Sequence, residues 1–183
     1  MANFKMKGHT VLTQSGTDTP NWGTGAPTGA VLQVQSFTYT DDNRSGVGTT
    51  FTDTGLTVSI TPNATTSKIM VMAQVSMGAS TSYRFAIRLV RDSTNIFIAE
   101  PSGLTSCTLA TASHQGSGGN MIDCTFPVMF LDSPSTTSTT TYKIQATTEG
   151  SGGTWYLNRG AYGSDNASVY VVASSITVME IAG

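Results

Sequence analysis

In the segment GLTVSITP the apolar residues fall on every second position. Leu56, Val58 and Ile60 share one side, and Thr57, Ser59 and Thr61 the other. A period of two marks a half-buried β-strand, because successive side chains point to opposite faces. The pattern recurs in SKIMVMAQVSM, where Ile69, Val71, Ala73, Val75 and Met77 form one face. Met70 and Met72 make the other face apolar too, so this strand is expected to be covered on both sides. YRFAIRLVRD places Tyr83, Phe85, Ile87 and Leu89 inward and Arg84 and Arg88 outward, and Asp92-Ser93 supplies a turn into a short partner strand, TNIFIAE. In NMIDCTFPVMFLD, Ile122, Cys124, Phe126, Val128 and Phe130 share a face, which places Phe126 and Phe130 in the core. Pro127 has no N–H for a ladder and argues for an edge position or a bulge. Tyr142, Ile144 and Ala146 continue the alternation, and TWYLNR and SVYVVASSITVMEIAG read as the closing strands. AVLQVQSFTYT divides less cleanly, with Val31, Gln33, Gln35 and Phe37 against Leu32, Val34 and Ser36.

Eight to ten strands punctuated by turns, with no convincing helix, predict an all-β protein. The expected architecture is an antiparallel two-sheet sandwich, jelly-roll-like, with an up-and-down barrel as the alternative. It spans residues 30–183. Residues 1–29 differ, being Gly-, Thr- and Pro-broken with a few widely spaced large side chains. They read as an extended N-terminal arm for attachment, anchored by Phe4, Val11, Leu12 and Trp22. The competing reading is a frayed tail stapled to its own domain.

Charged residues make up 11% of the chain, less than half the roughly 25% of an average soluble protein. Thr and Ser take their place, most densely in the unbroken hydroxyl run 135–141. Thr is β-branched and suits a pleated surface, so the strands' wet faces are expected to be carpeted with hydroxyls and residues 133–141 to form a turn. A chain so poor in charge must protect its sheet edges by other means, and burial in an oligomer is one. The net charge of −2 comes with no basic patch for nucleic acid and no polybasic segment for an anionic membrane. No apolar run is long enough to span a bilayer. Met1–Thr10 lacks the apolar run of a signal peptide, so synthesis in a cytoplasm is expected.

Candidate chemistry is sparse. His9 and His114 show no metal-ligand spacing, and GxSxG is absent. Glu100, Glu149 and Glu180 are scattered, which leaves a polysaccharide hydrolase with a distant carboxylate pair as the remaining enzyme reading. The glycine-rich runs 116–119 and 150–153 lack the Lys-Ser/Thr of a phosphate loop and read as β-connections. No cofactor is implied. Cys124 reads as a small buried hydrophobe, and a Cys107–Cys124 disulfide is disfavoured where the chain is made. Asn63-Ala64-Thr65 and Asn166-Ala167-Ser168 match the glycosylation pattern without a secretion signal to support its use. Tyr156, Arg159 and Tyr162, in YLNRGAYGSDN, are residue types common at contact surfaces. They are the candidates for a protein or carbohydrate contact, against a solvated loop with a partly packed Tyr.

TDTGLTVSITPNATTSKIMVM (52–72), FLDSPSTTSTTTYKIQ (130–145), YLNR (156–159) and the ending SSITVMEIAG (174–183) together resemble a β-rich module. That module recurs in virion appendage proteins of marine tailed phages, often at the C-terminal end of tail fibres. VLTQSGTDTPNWG (11–23) is similar to a connector in phage fibre proteins. The resemblance implies a non-enzymatic, trimeric virion protein, and it carries no catalytic residues across. Fibres usually have a long anchor and shaft, whereas about 29 residues precede the sandwich here. A capsid-decorating or short head-fibre protein is therefore expected, with other virion proteins as partners. The alternative is a tail-fibre tip that recognises a host surface glycan or protein.

Overall fold

The computed structural model describes residues 2–6, 9–14, 21–22, 26–80, 83–100, 105–110, 122–160 and 170–183. Its strands run in chain order β1 (Ala2–Met6), β2 (His9–Gln14), β3 (Asn21–Trp22), β4 (Val31–Tyr39) and β5 (Ser45–Val47). Next come β6 (Thr52–Ile60), β7 (Lys68–Ala79), β8 (Phe85–Arg91), β9 (Thr94–Ile96) and β10 (Leu109–Ala110). The last are β11 (Ile122–Asp132), β12 (Thr140–Thr148), β13 (Thr154–Leu157) and β14 (Ser174–Ile181). No helix occurs among the described residues.

Two antiparallel sheets form the sandwich. One, the β6 sheet, has the order β10-β8-β12-β6, with β9 also on β8. The other, the β4 sheet, runs β4-β14-β7, with β11 on the far side of β7 and with β13 and β5 continuing it. The principal pairings are nested: β4 with β14, β6 with β12, β7 with β11 and β8 with β10. A chain doubled back on itself and wrapped into two sheets is a jelly roll. The nesting rules out the up-and-down barrel, in which chain neighbours would pair around a ring.

The core lies between the sheets and follows the period of two. Leu56, Val58, Ile60, Phe85, Ile87, Leu89 and Ile144 face Ile69, Val71, Val75, Met77, Phe126, Val128, Ile176 and Val178. Each such side chain contributes about 1.5–3 kcal/mol when fully buried. Two expected core residues are less enclosed. Cys124 and Phe130 are partly exposed and pack against the core's margin, because β11 is the last strand of its sheet. Phe130 is covered by Phe97 instead, the rings stacked at 5.0 Å.

The edge position follows from Pro127. Ser76 turns both its N–H and its C=O toward the β13–β14 side of β7, to Ser174 Oγ and Asn158 N. Residues two apart on a strand point the same way, so Gln74, the register partner of Pro127, also points away from β11. Pro127 therefore sits at a non-hydrogen-bonded pair, with its nitrogen on the open side, where no N–H is required. Among the described residues β11 pairs with β7 alone.

Several strands end earlier than the alternation predicts. β9 stops at Ile96 because Phe97 adopts φ 53°, and β13 stops at Leu157 because Asn158 adopts φ 65°. The apolar stretch before Ser174 is no strand: Tyr170, Val171 and Val172 are exposed. β14 occupies β7 from Lys68 to Gln74 and β13 occupies it from Met77 to Ala79, so the chain before Ser174 finds no free edge of β7. Inside β6 a bulge sets residues 54–56 against Ile144 alone, and Gly55 there has φ 87°. This left-handed conformation is strained for any residue with a Cβ. The buried Thr54 hydroxyl bridges the bulge, accepting from Leu56 N and donating to Ile144 O.

Residues 1–29, expected to run as an extended arm, contain three strands that pair in the order β1-β2-β3. Phe4 is opposite Leu12, and Leu12 opposite Trp22, so these three expected anchor positions share one row of the register. Val11 stands at a bulge between the Phe4–Leu12 and Lys5–Thr10 pairs. The entry to the sandwich is tied to its exit: Gly29 N donates to Ala182 O, and Ala182 N to Ala30 O.

Candidate functional site

The buried polar groups are spent on holding the fold. Glu180 is fully buried, and its carboxylate accepts from Gln33 Nε2, Asn63 N and Nδ2, and Ser67 Oγ at 2.6–2.8 Å. It clamps the loop between β6 and β7 onto the last strand. Asp132 accepts from Arg91 Nη1 at 2.9 Å and from the Tyr142 hydroxyl at 2.7 Å. Burial first, then the hydrogen bond to Asp132 and its charge, push the Tyr142 phenol well above its ordinary range. Asn158, also fully buried, donates to Tyr39 O and Asp41 O and accepts from Ser174 Oγ. Among the described residues no three His, Cys, Asp or Glu side chains gather as metal ligands. The loop 150–153 is packed at its ends, with the Tyr83 ring where a Cβ on Gly150 would stand, while Ser151 and Gly152 are exposed.

Of the surface candidates, the structure brings Tyr156 and Arg159 together, and Tyr162 lies outside the described residues. The Arg159 guanidinium sits over the Tyr156 ring, 4.3 Å from its centroid. Its Nε donates to Asp42 O at 2.8 Å and Nη1 to Gly160 O at 3.1 Å. Arg159 thus ties the corner after β13 to the loop after β4. It also lines a cleft of about 270 Å³ on the outer face of the β4 sheet, with Ser76, Thr125, Cys124 and Tyr170 among its walls. Tyr170, 87% exposed, stands at this cleft. Alternation concealed it by placing it in the last strand. Phe4, Val11, Leu12 and Trp22, expected as attachment anchors, lie on the separate β1–β3 sheet.

Below the cleft the outer face of the β4 sheet is uncharged, with a methionine-rich apolar part among hydroxyls and Gln74. Ladder register aligns Leu131, Met70, Met179 and Val34 in one row, and Met129, Met72, Thr177 and Ser36 in the next. Met129 is 67% exposed, Val34 50% and Leu131 46%. The both-sided apolar character of Ile69–Met77 was legible in the sequence. That Met129 and Leu131 repeat it on β11 has the same signal, alternate positions of FPVMFLD that are also apolar, and reading the strand for its inward face alone passed over it.

The outer face of the β6 sheet carries the opposite chemistry. Lys143 Nζ reaches Asp53 at 2.8 Å, Gln145 also donates to Asp53, and Arg88 Nε donates to Gln145 at 2.8 Å. Arg88 also lies over the Phe51 ring at 4.2 Å. Ser59 pairs with Thr141 and Thr61 with Thr139, each at 2.8 Å. Burial alone would raise the Asp53 carboxyl. The hydrogen bonds from Lys143 and Gln145, with the charges of Lys143 and Arg88, outweigh it and hold the group below its ordinary value.

No protein-family model and no curated protein matches the chain. Among solved structures it overlaps VP2 of infectious bursal disease virus. The D431N mutant in derived T=1 particles gives 14% identity over 94% of this chain and 41% of that one, with a TM-score of 0.38. The VP2 subviral particle gives 15% identity over 95% of this chain and 42% of that one, with a TM-score of 0.32. The chain spans about two-fifths of the length of these proteins.

Proposed function

We propose that this chain is a non-enzymatic structural protein of a phage virion. In this reading it forms a homotrimeric projection on the particle surface, attached by residues 1–29, as a capsid-decorating or short head-fibre protein does. The observation that carries the proposal is the nested jelly-roll pairing of β4–β14, β6–β12, β7–β11 and β8–β10, an architecture that builds viral capsid domains among others. Fold alone does not fix function. The buried Glu180, Asp132 and Asn158 support the reading, since each spends its hydrogen bonds on joining strands and loops. The residue-level resemblance to phage appendage modules points the same way.

A second reading, a fibre tip that binds a host glycan or protein, is favoured by the cleft at Tyr170 and Arg159. An exposed aromatic ring beside a guanidinium suits such a contact.

The test is attachment to particles. Deleting residues 2–25 spares the Gly29–Ala182 and Ala30–Ala182 bonds that close the sandwich. The shortened protein should stay folded and lose particle binding, and Trp22→Ala in the full chain should weaken binding without unfolding. A shortened protein that decorates particles as well as the full chain would place attachment on the sandwich. Copy number separates the two readings: hundreds per particle for decoration, against a few tens or fewer for a fibre.

A further inference from the structure

We infer that the methionine-lined outer face of the β4 sheet is the axis-facing surface of the trimer, where it packs against two further copies of this chain. The inference rests on the trimeric reading above and adds where the copies meet. The register defines a grid of three rows on four strands. Pro127, Gln74, Ser175 and Thr38 make the first row, Met129, Met72, Thr177 and Ser36 the second, and Leu131, Met70, Met179 and Val34 the third. Residues directly opposite across a ladder share a face, so all twelve belong to the outer surface, opposite the buried Phe126, Val71 and Ile176.

Charge identifies the occupant. The grid contains no Asp, Glu, Lys or Arg. The next row holds Lys68, whose ammonium is turned to Ser133 Oγ at 2.9 Å. In a ring of three, neighbouring copies meet through different residues, but those nearest the three-fold axis meet symmetry copies of themselves, so a charge there would face its own kind. Like charges brought together cost several kcal/mol. An uncharged grid is therefore compatible with any of its residues lying nearest the axis. The opposite outer face, with Lys143, Asp53 and Arg88, would present charges in multiple copies. Methionine suits the role as well, because its unbranched thioether adapts to a partner surface.

Pro127 decides how the partner approaches. It stands midway along the open edge of β11, and a strand added there would meet a position with no N–H to donate. Copies are thus directed to the face of the sheet rather than to its edge.

The experiment is sedimentation equilibrium of the full-length protein at micromolar concentration, with circular dichroism as a check of folding. The unmodified chain should sediment as a trimer. Met129→Lys with Leu131→Lys, both at exposed positions, should reduce the mass threefold to the monomer and leave the β spectrum unchanged. Val34→Lys, on the strand at the other side of the grid, should do the same independently. Thr57→Lys on the β6 sheet's outer face should leave the trimer intact, and Met129→Leu should preserve it. An unmodified chain that is monomeric or dimeric overturns the trimer itself. A trimer that survives both the double substitution and Val34→Lys overturns the placement of its axis and leaves the trimeric reading standing.

Discussion

The two outer faces of the sandwich are built from the same geometry and differ in chemistry. On the β6 sheet the outward positions are satisfied within the face: Arg88 to Gln145, Gln145 and Lys143 to Asp53, and hydroxyl to hydroxyl at Ser59–Thr141. On the β4 sheet the corresponding positions offer thioethers, Leu131 and Val34, with no charge among them. Both cover equally apolar interiors, so the core cannot account for the contrast. A chain with so few charges has placed an ion pair and its supporting hydrogen bonds at the centre of one face, and on the other has kept its charges, Arg159 and Lys68, to the ends of the sheet. The first face is finished against water. The second leaves apolar area that only another surface can remove from water.

The comparison depends on the register of β11, and the largest expected effect tests it. Phe126 is 6% exposed and meets Phe85 edge-on at 5.5 Å. Phe126→Ala should cost about 3–5 kcal/mol in denaturant unfolding. A loss below about 1 kcal/mol would mean an inverted strand, with Met129 and Leu131 in the core and no apolar outer face. Phe130→Ala, at the margin, should cost less than Phe126→Ala.

Asn158 holds the cleft end of the apolar face. Asn158→Ala strands two carbonyls and the Ser174 hydroxyl and puts at φ 65° a residue that tolerates the left-handed region less well than Asn. It should cost about 2–4 kcal/mol. Asn158→Gly relieves the backbone but not the lost bonds and should cost less. Equal losses for the two would show that backbone conformation contributes nothing there.

Behind the polar face, Tyr142 links stability to alkaline pH. Its folded-state pKa is raised, so the folded protein holds a proton that the unfolded chain gives up. The stabilisation is complete below the unfolded value of about 10 and is lost as pH rises toward the folded one. Unfolding midpoints should decline above about pH 10. Tyr142→Phe should flatten that decline while costing about 1–2 kcal/mol at neutral pH. An unchanged alkaline slope would assign the decline to other groups.

The smallest effect belongs to the polar surface itself. Asp53 is half exposed, and Asp53→Asn should change stability by no more than about 1 kcal/mol. Its lowered folded-state pKa makes the contribution present above the ordinary carboxylate value of 3.8 and lost as pH falls through the lower folded one. A neutral-pH loss as large as that of Phe126→Ala would show this face to be structural rather than a solvated finish.

Much of this was settled by the sequence alone. Alternation named the inward residues of β6, β7, β8 and β12, Asp92-Ser93 located the turn before β9, and Pro127 narrowed β11 to an edge strand or a bulged one. These are local properties, decided by the period of two and by what a residue can donate. Tertiary structure decided the rest. Which strands pair depends on contacts distant in the chain, so neither the nested order nor the rows that join Met129 to Met72 and Met70 to Met179 could be read from spacing. Tyr170–Val172 looked like strand because its composition is that of one. It lies exposed because β13 and β14 already occupy that edge of β7, and whether an edge is free is a fact about the neighbours, not about the segment.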